Sequence, residues 1–139
     1  MTLLAIVFLP ILAAWIPLIS DRLGRNACAA LTLIAPLIVV GLVLSHLPLV
    51  LQGELTTVSF AWIPSFGLNL AFRIDALSLM FALLISGIGV LVIWYARFYL
   101  AKEDSLSKLF SMLLMFMTAM LGIVLSDKIL LLVVFWELT

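Results

Sequence analysis

The sequence predicts an all-α integral membrane protein: a polytopic bundle of four full transmembrane helices and a truncated fifth, with a small β-hairpin on the outer face between helices 2 and 3. Three observations carry that expectation. Hydrophobic residues make up 67% of the chain and charged ones only 10%, far from the roughly 45 to 50% apolar usage of soluble domains. The mean hydropathy is +1.42. The apolar residues also fall in uninterrupted stretches of membrane-crossing length, which takes roughly 17 to 25 residues for a hydrocarbon core of ~30 Å.

The first stretch, Leu3 to Ser20, is uncharged, and its first basic residues, Arg22 and Arg25, follow it. A signal peptide has the reverse order, with a basic start and a small-residue cleavage site, so this stretch is expected to be a retained first span. The second stretch runs from Ala27 to Leu51. Pro10 and Pro17 in the first span and Pro36 in the second remove backbone donors, and kinks are expected there because neighbouring helices can accommodate the break.

Between spans two and three, Val58, Phe60 and Trp62 alternate with Ser59 and Ala61. After a Pro64-Ser-Phe-Gly67 turn signal, Leu68, Leu70 and Phe72 alternate in the same way. Period-two alternation about a turn predicts a β-hairpin, and its aromatics suit the headgroup level of the outer surface.

Asp75 to Ala96 and Leu109 to Ser126 form the third and fourth spans. A fifth begins at Ile129 and the sequence stops at Thr139. Eleven helical residues rise only about 16 Å, so residues 1–139 are expected to be a single incomplete transmembrane domain. No internal repeat or low-complexity linker suggests a second one.

Lys and Arg concentrate in cytoplasmic loops of membrane proteins. The first and third loops hold Arg22, Arg25, Arg97, Lys102 and Lys108, whereas the second and fourth hold Arg73 and Lys128. The N-terminus is therefore expected outside, in a multi-pass protein of the bacterial cytoplasmic membrane. The seven basic and seven acidic residues cancel, which leaves no basic stripe for nucleic acid. The single Cys28 forms no CxxC or metal-ligand spacing, and it reads as a small packing residue. Neither a cofactor nor a metal signature is present.

On the third span Asp75, Ser78, Ala82, Ser86, Gly89 and Ala96 recur at helical spacing. The fourth span carries Ser111, Thr118, Gly122 and Ser126 among Met112, Met115, Met117 and Met120. Small residues allow close helix approach where lipid supplies no hydrophobic drive, so these stripes are expected to be helix contacts. Asp75 beside Arg73 suits helix capping and interface pairing. His46, near the outer end of span two, has the side chain that ordinarily titrates near neutral pH, but a lone histidine at an interface is expected to be structural. Asp127 and Lys128 fit a tight turn with a helix start.

Glu137 stands apart. Counted from Lys128 it lies nine residues along an apolar helix, about 13 Å into the bilayer, where an ionisable group costs ~2.5 to 3.5 kcal/mol even on the lenient insertion scale. Desolvation raises the proton affinity of such a carboxylate and a nearby cation lowers it, so a partner charge can switch it. That is the requirement of a proton relay. No basic residue in this sequence falls at the same depth, so a partner has to come from other sequence. From the residues alone, an ion pathway, an anchoring polar contact and an accident of truncation all stay open.

The pattern Val134-Phe-Trp-Glu-Leu-Thr139, with Phe72-Arg-Ile-Asp-Ala-Leu-Ser78 and Trp94-Tyr-Ala-Arg-Phe-Tyr-Leu100 upstream, resembles the antiporter-like membrane subunits. That superfamily joins Mrp-type multisubunit monovalent cation/proton antiporters to the proton-pumping subunits of respiratory complex I. The Trp-Glu-Leu-Thr form is most similar to the large, A-type subunits of the Mrp antiporters; complex I relatives tend to have Gly after the glutamate. The resemblance implies inverted repeats, broken helices and a chain of buried charges at mid-membrane. It maps Glu137 onto the acidic partner of a lysine from a later helix. Lys128 stands where relatives often have an uncharged residue.

The function expected is that of one subunit in a sodium (monovalent cation)/proton antiporter driven by the proton gradient, a transporter and not an enzyme, with Glu137 in the relay or coupling pair. Its partners would be the other antiporter subunits, the lipid bilayer, and protons and sodium as transported ions. Two alternatives remain: a proton-translocating subunit of a complex I-type NADH:quinone oxidoreductase, and a membrane assembly piece without transport.

Overall fold

The structure, a computed structural model, describes residues 1–63, 65, 68–100 and 105–139. Pro64, Phe66 and Gly67 of the expected turn, and Lys102 of the third loop, lie outside the described residues.

The first span forms as α1 (Thr2–Ala13) and α2 (Trp15–Ser20), followed by a 3-10 turn over Asp21–Leu23. Pro17 has no N–H to offer the Ala13 carbonyl, and its ring crowds that carbonyl. The ladder breaks one residue later, where the Ala14 N–H turns back to the Ile11 carbonyl at 3.2 Å. Pro10 leaves α1 continuous. The second span is α3 (Arg25–Ser45) and α4 (Leu47–Leu51), separated at His46. Here the outcome differs from expectation, because α3 runs through Pro36 and the break lies ahead of Pro48. Pro48 is the second residue of α4 and cannot pair the Leu44 carbonyl.

Gly24 joins the two spans at φ +96°, a conformation that residues with a Cβ adopt only with strain. The expected hairpin forms as β1 (Thr56–Ile63) and β2 (Leu68–Ile74), antiparallel with Val58 opposite Phe72 and Phe60 opposite Leu70. A bulge between Ala61 and Ile63 leaves Trp62 unpaired. Phe72 and Ile74 are buried, whereas Phe60 and Trp62 are exposed.

The remaining helices are α5 (Ala76–Tyr99), α6 (Leu106–Leu125) and α7 (Ile129–Leu138). Four of the helical stretches are long and apolar enough to cross a membrane: Thr2–Leu23, Arg25–Leu51, Ala76–Tyr99 and Leu106–Leu125. The mostly helical architecture expected from the sequence is present. α6 is central and packs on α1, α2, α5 and α7, while α5 lies along α3.

The small-residue stripe of α5 faces inward as expected, with Ser78, Ala82, Ser86 and Ala96 buried. A Cβ added at Gly89 would stand 3.0 Å from the Met117 Sδ and 3.9 Å from the Pro36 Cβ, so glycine sets how closely α3, α5 and α6 meet. On α6, Thr118 and Gly122 are buried and Met117 faces the core, but Met112 and Met115 point outward. Cys28 is buried and donates its thiol to the Pro17 carbonyl.

Antiparallel succession places the loops at two ends. At one end the Arg25 guanidinium donates to the Leu100 carbonyl at 2.8 Å, joining the first and third loops. At the other, Thr2 meets His46 at 3.0 Å, and the Asp127 N–H donates to the Ala71 carbonyl at 2.9 Å. The core divides accordingly. A cluster including Leu3, Val43, Phe72, Leu121 and Phe135 fills the hairpin end, and one including Cys28, Ile93, Phe110 and Leu114 fills the opposite end.

Candidate functional site

Helix α7 starts after Lys128, whose backbone carbonyl accepts both the Leu132 N–H and the Ser126 hydroxyl, at 2.9 and 3.0 Å. The Lys128 side chain is exposed. Only one stripe of α7 is buried, Leu131 and Phe135. Phe135 stands between three elements. Its ring centroid is 6.0 Å from that of Phe72 on β2 and 6.5 Å from that of Phe8 on α1, and Phe8 meets Phe72 edge-on at 6.2 Å. Its fourth wall is the bare Cα of Gly122 on α6, where an added Cβ would overlap the Phe135 ring.

Glu137 follows two residues later, about 200° around a helix that turns roughly 100° per residue. It is exposed, on the face of α7 turned away from α1, α6 and β2. Among the described residues no basic side chain forms an ion pair with it.

The other polar residues singled out in the sequence lie at the hairpin end. Asp75 caps α5: its carboxylate accepts the Ser78 N–H at 2.8 Å, and the Ser78 hydroxyl accepts the Asp75 N–H at 2.8 Å, a reciprocal capping box. The Ser78 N–H first, then its hydroxyl and the Arg73 guanidinium, hold the Asp75 carboxyl below its ordinary range against a smaller opposing effect of burial. Arg73 is 3.4 Å from Asp75 and also 3.6 Å from Asp127. The capping box is legible as Asp-x-x-Ser in the sequence. The Arg73–Asp127 pair has no local signature, and neither does the fit of Gly122 to Phe135.

His46 is not interfacial as expected. It is buried, with Nδ1 2.9 Å from the Leu42 carbonyl and Nε2 3.0 Å from the Thr2 hydroxyl. Since a carbonyl only accepts, Nδ1 carries the hydrogen, and in the neutral ring Nε2 accepts from Thr2. The helix break at His46 turns the side chain into this contact. Among the described residues no cluster of three His, Cys, Asp or Glu side chains is placed to hold a metal.

Residues 60–110, from the hairpin to the start of α6, match the family described as NADH-Ubiquinone oxidoreductase (complex I), chain 5 N-terminus. The large, A-type subunit of the Na(+)/H(+) antiporter of Alkalihalophilus pseudofirmus is 44% identical over 130 residues, 93% of this chain and 16% of that protein. The chain belongs to the antiporter-like membrane subunits. Among solved structures, a chain of the Mrp complex from Dietzia sp. DQ12-45-1b superimposes with a TM-score of 0.79 at 27% identity, over 99% of this chain and 15% of that one. A chain of the membrane-bound sulfane sulfur reductase, an archaeal respiratory membrane complex, superimposes with a TM-score of 0.82 at 18% identity, over 99% and 21%, which is a likeness of fold alone. The chain thus spans about one sixth of the length of the curated antiporter relative described above.

Proposed function

We propose that this chain acts within the large, A-type subunit of a multisubunit sodium (monovalent cation)/proton antiporter of the bacterial cytoplasmic membrane, and that Glu137 belongs to its proton relay or coupling pair. The observation that carries the relay assignment is the setting of Glu137: a carboxylate nine residues into an apolar helix, turned away from every element of this chain that packs on α7. A carboxylate in hydrocarbon has to face a polar interior or a partner charge, and the direction of Glu137 leaves that partner to other helices. The 44% identity to an Na(+)/H(+) antiporter protein supports the choice of transporter over enzyme.

Inward proton flow would drive outward movement of sodium or a related cation. Glu137 would take up and release the proton as an approaching cationic side chain raises and lowers its proton affinity. The partners are the other antiporter subunits and the surrounding lipid. Arg22, Arg25, Arg97 and Lys108 gather at one end of the bundle and support a cytoplasmic placing of it. That puts the N-terminus and the hairpin outside. Asp75, Arg73, His46 and Lys128 serve structure at the outer end.

The test is Glu137→Gln in the full-length antiporter, with transport read in everted membrane vesicles. The variant keeps the size of the side chain and removes its titratable proton. Sodium-dependent dissipation of the pH gradient should collapse while the complex still assembles, and unchanged exchange would sink the relay assignment.

A second reading is favoured by the family match, which is named for complex I. Here the same carboxylate would serve a redox-driven proton pump. Gradient dissipation that needs sodium and no quinone reductant supports the antiporter; dependence on an electron donor supports the pump.

A further inference from the structure

We infer that Gly122 is a positioning residue for Glu137, acting through the ring of Phe135; this rests on the relay reading above. Phe135 is the deepest anchor of α7, 4% exposed and closed in by Phe8, Phe72 and Gly122. The ring has no room to retreat, because the Phe8 and Phe72 rings already meet each other on the far side. The atoms that an added Cβ at Gly122 would overlap are Cδ1, Cε1 and Cγ of Phe135. Cγ lies next to the Phe135 Cβ, so a swing of the ring cannot clear it. The relief has to come from α7 itself, by displacement away from α6 or rotation about its own axis.

Glu137 sits two residues from this pivot and moves with it. A proton passes efficiently only between groups held within ~2.6 to 3.2 Å or bridged by one water, and a misplacement of about 1 Å can cost about a hundredfold in rate. The absence of a side chain at Gly122 therefore sets both the depth at which α7 seats and the direction of its carboxylate. Interiors packed to near-crystal density transmit such a shift instead of absorbing it.

The test uses the assembled antiporter in membrane vesicles, with Gly122→Ala, Phe135→Leu, the double variant and Glu137→Gln measured side by side. Three quantities are read: the amount of assembled complex, the exchange rate per complex, and the pH of half-maximal exchange. Gly122→Ala should lower exchange per complex by about ten- to a hundredfold and move the pH midpoint. Phe135→Leu on that background gives the new methyl group space and should restore at least a third of the rate and return the midpoint.

A rate loss that tracks lost complex alone, with the pH midpoint unmoved, would overturn the inference, as would a double variant that regains nothing. If Gly122→Ala fails to accumulate, the double variant has to accumulate and Phe135→Leu alone has to move the pH midpoint; failure of either also overturns it. Exchange that persists in Glu137→Gln defeats the relay reading itself. Collapse in Glu137→Gln beside an unaltered Gly122→Ala defeats only the positioning role.

Discussion

Arg73 on strand β2 stands 3.6 Å from Asp127 at the junction of α6 and α7, and the same guanidinium is 3.4 Å from Asp75 at the start of α5. One cation thus ties the hairpin to the beginning of one helix and to the link between two others. The neighbouring backbone completes the joint: the Asp127 N–H donates to the Ala71 carbonyl, and Phe72 forms a β-bridge with Ser126. The hairpin edge that would otherwise be unpaired is used to hold the entry of α7.

Replacing Arg73 with Gln removes both ion pairs. The side chains involved are about a third to a half exposed, so solvent screening discounts each pair to ~0 to 1 kcal/mol. We expect a loss of about 1 kcal/mol in all, a lowering of the melting temperature by a few degrees in detergent, and a gap from the parent that narrows at high salt. Equal melting at low salt would mean that the backbone contacts alone hold the joint.

The Asp75 cap predicts an acid dependence. Its carboxyl is held below the ordinary 3.8 by Ser78 and Arg73. A carboxyl lowered in the folded state stabilises fully above its unfolded value, and the stabilisation disappears as pH falls through the lowered folded value. Stability should therefore decline as pH falls below about 4. Asp75→Asn should remove that part of the decline, while Asp75→Ala costs ~0.5 to 2 kcal/mol at neutral pH. Melting curves across acid pH decide it, and an acid slope unchanged in Asp75→Asn would assign the dependence to other carboxylates. Transport by assembled Asp75→Asn complexes should stay near that of the parent.

The Thr2–His46 contact makes a third prediction. Thr2→Val keeps shape but leaves Nε2 of the buried imidazole without its donor, a cost of about 1 to 3 kcal/mol when water cannot substitute. The loss should appear as a lower melting temperature and as faster proteolysis at the outer end of α3. No change on either measure would show that water takes the place of the hydroxyl.

Much of this chain was legible without tertiary structure, and the reason is locality. Stretches such as Leu3 to Ser20 and Leu109 to Ser126 are recognised because apolar length is a property of consecutive residues. The hairpin is readable from period-two alternation, and the Asp75 cap from its place before a helix. These features arise within a few residues of backbone. Even there, proline required context: α3 passes Pro36, while the chain breaks at His46 ahead of Pro48, because the helices packed around each break decide which one is tolerated.

The sequence by itself determined that Glu137 is a carboxylate deep in an apolar helix. Only the tertiary structure decided where that carboxylate points. Its direction follows from Phe135 seating against Gly122, Phe72 and Phe8, and the entry of α7 follows from Arg73 and Ala71 meeting Asp127. Those contacts join residues far apart along the chain. Glycine at position 122 has the same local composition whether it faces lipid or a phenyl ring, so its role exists only once close packing brings the two helices together.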